Sequence, residues 1–174
     1  PSHMPNARAR KILVYLRVST ADQHTENQMP DLLGYLERRG IVYPPPNEWP
    51  EPGTPPPDKR VRWYIEKASG YTFDRRLYIK LLRLIRKRRI ETLLVWRLDR
   101  LGRLALQLHR LFDLCQRSKT NLVSLRENLD LTTATGRFFA TVMAGLAEME
   151  GQIRADRQRA GIDRCRERAA RIVQ

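Results

Sequence analysis

KILVYLRV, residues 11 to 18, is a short apolar run rich in β-branched side chains, and it stops at the polar stretch Ser19 to His24. A run of this length and composition reads as a buried strand. Ser19 then falls at the strand's carboxyl end, where an α/β protein keeps its working residues. Downstream, Leu32, Leu33 and Leu36 followed by Gly40 indicate a helix over about residues 26 to 39, with Pro30 disturbing its first turn.

Eight of the chain's eleven prolines lie between Pro44 and Pro57. That density excludes helix and central strand, and predicts an extended polyproline surface loop inserted into the domain. A second strand follows at Val61 to Glu66. Asp74 can cap a helix reaching about Arg89, with Leu77, Leu81, Leu82, Leu84 and Ile85 in its apolar positions. Glu91 to Leu98 (ETLLVWRL) reads as a third strand, which puts Asp99 at a strand end. A helix over about 104 to 117 is expected to bury Leu104, Leu108, Leu111, Phe112 and Cys115, and Asn121 to Leu125 forms a fourth strand. The alternation predicts an α/β fold: a mainly parallel sheet of four to five strands flanked by helices.

From about Ala134 to Arg171 nothing terminates a helix, giving an element far longer than the globular average. Phe139, Val142, Leu146, Met149 and Ile153 recur at three- and four-residue spacing, a seam for packing on the domain or on a second copy. Beyond Ile153 the helix turns basic, with Arg154, Arg157, Arg159, Arg164, Arg166, Arg168 and Arg171 against Asp156, Asp163 and Glu167. An apolar half for dimerisation and an arginine-rich half for DNA is the economical reading, with a solvated tail as the alternative.

Thirty-three Lys and Arg oppose nineteen Asp and Glu in 174 residues, a formal charge of +14. The excess points to a polyanion, and the dominance of arginine, whose planar fork fits phosphate oxygens, points to nucleic acid. Cys115 and Cys165 are too far apart for a zinc site or disulfide framework. His3, His24 and His109 show no metal-binding spacing, and no GxxxxGK loop is present, so a metal nuclease or NTPase is disfavoured. Pro1-Ser2-His3-Met4 resembles a tag remnant with an initiator methionine. Without a signal-peptide pattern or a bilayer-length apolar stretch, the expectation is a cytoplasmic protein with no membrane partner.

Three clusters could carry chemistry. Ser19, with Arg17 before it and Gln23 and Gln28 after it, is a nucleophile candidate or a plain helix-cap serine. Asp99, Arg100 and Arg103 in LDRLGR could clamp a phosphate and offset transition-state charge, or form an ordinary surface ion pair. Glu66, Lys67 and Ser69, with Asp74 and Arg75, form a charged loop or a simple turn and cap.

Together YLRVSTADQ (15–23), EKASG (66–70), Asp74-Arg75, WRLDRLGR (96–103) and the long terminal helix resemble, in order and spacing, the resolvase and invertase family of serine recombinases. The resemblance implies a resolvase-like catalytic domain in which Ser19 attacks a DNA phosphodiester. The products are a 5′-phosphoserine link and a free 3′-hydroxyl, formed without metal or nucleotide cofactor. Arg17, Arg75, Arg100 and Arg103 match the family's active-site arginines. Asp99 and Glu66 match its acidic positions, Asp99 either orienting an arginine or exchanging a proton with the leaving 3′-oxygen. Gln23 and Gln28 match polar supports, and Lys67 and Ser69 match a mobile loop. Glu150, Asp156 and Arg157 align with charged helix positions, while Gly151 stands where an arginine is common.

The resemblance further implies double-stranded DNA as substrate, a homodimer at each site and a tetramer in synapsis, in a bacterial, phage or mobile-element setting. The resemblance implies a catalytic domain over 5–133 and a helix over 134–174 that contacts DNA, with the separate DNA-binding domain of family members expected beyond it. Resolvase, invertase, transposase and integrase all share this domain. The alternative is a non-cutting DNA-binding or assembly module of the same fold.

Overall fold

The computed structural model describes the backbone of residues 10–19, 25–51, 53–68, 76–102 and 104–172, and their side chains except at 18–19, 25–27, 67–68 and 163–172. Five strands form one sheet: β1 (Lys11–Ser19), β2 (Val61–Ala68), β3 (Ile90–Val95), β4 (Asn121–Ser124) and β5 (Leu129–Asp130), in the order β2-β1-β3-β4-β5. All neighbours are parallel except β4 and β5. The helices are α1 (Thr25–Arg38), α2 (Arg76–Arg86), α3 (Ala105–Arg117) and α4 (Ala134–Ile172).

β1 is apolar on both faces because both faces are covered. Leu13 and Tyr15 enter a core with Leu81, Ile85, Leu93, Phe112 and Cys115, built against α2 and α3. Ile12, Val14 and Leu16 enter a second core with Met29, Leu32 and Leu36 of α1. Each such fully buried aliphatic side chain stabilises the fold by roughly 1.5–3 kcal/mol. Burial also pushes the Cys115 thiol up to about 12, so it stays protonated and packs as a small apolar group.

The turns at the amino edge of the sheet are tied together by Arg10. Its Nη2 donates to the carbonyls of Ile90 (2.8 Å), Ser118 (2.9 Å) and Lys119 (2.7 Å), joining the start of β3 to the end of α3. Those last carbonyls have no partner within the helix, and a guanidinium there also complements the helix dipole.

Four expectations need correction. The third strand ends at Val95; Trp96 and Arg97 leave the sheet, and Leu98–Arg100 form a 3-10 turn. Leu104 stands before α3 as its N-cap residue and is 44% exposed, because the helix starts one residue later, while the expected Leu108, Leu111, Phe112 and Cys115 are buried. Phe139 faces its own domain, 6.3 Å from Phe112, and its neighbour Phe138 is the exposed residue. The proline-rich segment is not simply an extended surface loop. It contains a 3-10 turn at Pro46–Glu48 and plugs Trp49 into the α1-side core, with Trp49 Nε1 donating to the Pro44 carbonyl at 2.9 Å. Asp74, the expected cap of α2, lies outside the described residues.

α4 is launched by a tight junction after β5. Asp130 Oδ1 accepts the Thr132 N–H (2.8 Å) and hydroxyl (2.6 Å), and Thr133 Oγ1 accepts the Gly136 N–H at 3.0 Å, a helix N-cap. Burial alone would push the Asp130 carboxyl up; the Thr132 hydrogen bonds, with Asn121, outweigh it and hold the carboxyl below its ordinary value. The first turn of α4 sits so close to β5 that a Cβ on Gly136 would lie 1.9 Å from the Asp130 carbonyl oxygen. Backbone on both sides leaves little room to relax. Gly136→Ala should therefore lower stability by about 1–3 kcal/mol, read as a shift in the urea midpoint at unchanged slope; a midpoint equal to the unsubstituted protein would contradict this packing.

Candidate active site

β1 and β2 end side by side at the carboxyl edge of the sheet, and β3 ends four residues lower, with Val95 beside Tyr15. Ser19 is the last residue of β1 and pairs in register with Ala68, the last of β2; two residues back, Arg17 pairs with Glu66. On the other flank of β1, the chain leaving β3 turns at Leu98–Arg100, which presents Asp99 and Arg100. Ser19, Arg17, Glu66, Asp99 and Arg100 thus come from three adjacent strands and converge on one edge, where parallel sheets hold their ligands.

Within this group the charges are organised. Arg97 Nε donates to Asp99 Oδ1 at 2.7 Å and Nη2 donates to Oδ2, a two-pronged pair that fixes the carboxylate. The Arg100 side chain is only 18% exposed; its Nε is buried without a hydrogen-bond acceptor among the described residues and lies 3.8 Å from Asp99 Oδ1. A buried donor in that condition costs about 1–3 kcal/mol until an acceptor arrives. The segment bearing these residues is braced by Trp96, whose Nε1 donates to Asp31 Oδ2 at 2.9 Å and whose ring has the guanidinium groups of Arg97 and Arg126 at 5.9 and 5.8 Å.

Glu66 is buried. Its Oε2 accepts the Tyr15 hydroxyl and its Oε1 accepts the Leu77 N–H at 3.1 Å, in the first turn of α2. The carboxylate thereby satisfies an orphan helix amide from the adjacent strand. Gln28 is also buried, on α1, with Oε1 lacking a hydrogen-bond partner among the described residues.

Of the remaining residues singled out in the sequence, Gln23, Ser69, Arg75 and Arg103 lie outside the described residues, as do the side chains of Ser19, Lys67, Arg164, Arg166 and Arg168. Arg157 is exposed on α4. Gly151 is exposed, and a Cβ there would meet nothing within 4 Å. Among the described residues, no three His, Cys, Asp or Glu side chains are grouped to hold a metal, and no helix is long and apolar enough to cross a membrane.

Sequence reading missed Tyr15, Ser124 and Glu127. Ser124 ends β4, and Glu127 accepts both its hydroxyl and the Leu98 N–H, the latter at 3.2 Å to Oε2 and 3.4 Å to Oε1. The signal was available: Ser124-x-x-Glu127 is the spacing of a reciprocal capping pair, here directly after a strand. A cleft of about 570 Å³ between α1 and the β4–β5 turn includes Ser124, Arg126 and Asp130 but none of the site residues predicted from sequence.

The three-layer arrangement is that of serine recombinase catalytic domains. A resolvase family site-specific recombinase from Streptococcus pneumoniae superposes with a TM-score of 0.63 at 18% identity, covering 91% of this chain and 99% of that one. The N-terminal catalytic domain of TP901-1 integrase gives 0.56 at 24% identity, covering 83% and 98%.

Residues 56–171 match the family described as "Resolvase, N terminal domain", and the chain belongs to that family. The Transposon Tn917 resolvase of Enterococcus faecalis is 32% identical over 157 residues, 90% of this chain and 72% of its own length. The DNA-invertase of Escherichia phage P1 is 43% identical over 103 residues, 59% of this chain and 54% of its own length. The chain thus spans about half the length of the DNA-invertases of Escherichia phage P1 and Enterobacteria phage P7.

The buried Tyr15–Glu66 pair gives a direct test of how the site is held. Removing the hydroxyl in Tyr15→Phe leaves a carboxylate oxygen without its donor, and stability should fall by about 1–3 kcal/mol. Equilibrium urea unfolding measures this, and a variant as stable as the parent would mean that water replaces the hydroxyl at no cost.

Proposed function

We propose that this chain is the catalytic part of a recombinase that cuts and rejoins double-stranded DNA through Ser19. The observation that carries the reading is the convergence of the Ser19 strand end, Arg17 and the Asp99–Arg100 turn on one sheet edge, with Arg100 Nε lacking an acceptor among the described residues. A phosphodiester oxygen is an acceptor of the required kind. Family membership and the names of the relatives, invertase, resolvase and recombinase, agree with it.

In this scheme the Ser19 hydroxyl loses its proton and its oxygen attacks the phosphorus. The P–O3′ bond breaks, the 3′-oxygen takes up a proton, and the 5′-phosphate remains esterified to Ser19. Rejoining is the reverse: a 3′-hydroxyl attacks the phosphoserine and the serine oxygen leaves with a proton. Because the ester conserves the bond energy, no nucleotide is consumed, and the scheme calls for no metal. Arg17 and Arg100, with Arg75 and Arg103, hold the phosphate and offset charge on the pentacoordinate transition state. Asp99, paired to Arg97 and lying near Arg100, acts by orienting arginines.

The reaction needs paired subunits, and we assign their contact to the outward stripe of α4. Val142, Leu146 and Met149 are 42%, 40% and 50% exposed, and Phe138 extends the stripe in place of Phe139. Arg157, and beyond it Arg164, Arg166 and Arg168, continue the same helix toward DNA. Assembly as a dimer on each site and a tetramer in synapsis, in the cytoplasm where the DNA lies, completes the reading.

Two experiments test it. The protein, extended to its full natural length, is incubated with its element's DNA ends, and the digest is searched by mass spectrometry for a nucleotide-bearing Ser19 peptide. The adduct should form and vanish in Ser19→Ala; DNA that is bound but never linked to Ser19 would favour a non-cutting assembly module. For the stripe, Leu146→Arg should shift the protein toward monomer in sedimentation velocity, losing most of the roughly 1.5–3 kcal/mol that each buried leucine supplies. A dimer of undiminished affinity would place the subunit contact elsewhere.

A further inference from the structure

We infer that Glu127, clamped by Ser124, is a positioning residue for the Asp99–Arg100 turn and so sets the rate of DNA cleavage without touching DNA; this rests on the function proposed above. The turn Leu98–Arg100 is too short to stabilise itself, and its N-cap residue, Arg97, is extended and makes no side-chain cap. Its opening amide, Leu98 N–H, is instead taken by a carboxylate 29 residues away in sequence. Both Glu127 oxygens face that amide, at 3.2 and 3.4 Å, and the Ser124 hydroxyl donates to Oε2. Ser124 is fully buried at the end of β4, paired in register with Val95, the last residue of β3. The clamp therefore measures from one strand end to the turn that leaves the next.

Two apolar anchors complete the hold. Leu98 is 5% exposed and Leu101 is fully buried, both in the core under α3. Between them Asp99 and Arg100 have no freedom but side-chain rotation, so the height of the turn above the sheet fixes where the Arg100 guanidinium lies. The core anchors resist outward motion, whereas the Glu127–Leu98 bond fixes rotation of the turn about them. Loss of that bond leaves the fold intact and lets Arg100 drift. A drift of the order of 1 Å in a phosphate-holding group lowers a rate by up to roughly 100-fold.

The test compares Glu127→Ala, Glu127→Gln and Ser124→Ala in the full-length protein. Three readouts are taken: single-turnover formation of the Ser19–DNA adduct, DNA affinity, and amide hydrogen exchange in the Trp96–Leu101 segment. Glu127→Ala should cleave at least about tenfold more slowly, bind DNA as the parent does, and exchange faster at Leu98. Glu127→Gln should recover most of the rate and the protection, because its amide oxygen still accepts the Leu98 N–H; Ser124→Ala should fall between. Parental cleavage by Glu127→Ala, or equal losses in the Gln and Ala variants, would overturn the proposal, the second by showing that charge and not the hydrogen bond matters. Unchanged Leu98 exchange in Glu127→Ala would overturn the clamp alone. A parent protein that forms no adduct would overturn the cutting reading, and with it the catalytic meaning of a clamp that exchange still detects.

Discussion

β1 has a parallel partner on each side, so its backbone amides and carbonyls are committed to two ladders and its side chains must be accepted by two covered faces. The alternation of Leu13 and Tyr15 with Ile12, Val14 and Leu16 meets that demand, and α1 on one face with α2 and α3 on the other follows from it. At Arg17 the apolar requirement lapses, and within two residues the strand reaches Ser19. The site begins where burial ends, at the carboxyl end of a strand bonded on both sides, and this suits the nucleophile proposed at Ser19, whose reaction depends on alignment.

Around that rigid centre the polar groups are fixed by partners from other strands and not by their sequence neighbours alone. Glu66 of β2 is held by Tyr15 of β1 and in turn receives the first turn of α2. The Asp99–Arg100 turn takes its register from β4 through Glu127 and its bracing from α1 through Asp31 and Trp96. Glu66 and the Leu98 amide thus find their partners across the sheet, as burial requires. Arg100 Nε is an exception, and it lies beside Asp99 at the edge where the chemistry is assigned.

Strand and helix periodicity made the architecture readable: the four parallel strands and all four helices stand within a few residues of where their apolar patterns put them. The misplacements share a cause. Trp96-Arg97-Leu98 continues the apolar alternation of β3, but the amide of Leu98 is claimed by Glu127, a partner that local pattern does not reveal. Trp49 in the proline-rich segment looks like a loop residue until the gap beside α1 that it fills is visible. Phe138 and Phe139 are adjacent and chemically identical, and only the approach of α3 decides which turns inward. The charged residues of the site were named through the resemblance carried by LDRLGR and YLRVST, whereas Tyr15 and Glu127 act through hydrogen bonds to Glu66 and Leu98, far away in sequence, which leave no periodic trace.

α4 joins two regimes of stability in one helix. Its 39 residues span about 58 Å at the α-helical rise. Through Ala147 it is packed on α3, but from Glu148 onward no described side chain is buried. A solvated helix of that length holds its hydrogen bonds with little margin, since most helical stability in proteins comes from packing. The distal half, without a packed face, is the part of the helix with the lowest local stability to expect. Under the pairing proposed above, covering the outer face of α4 and holding its distal half helical become one equilibrium.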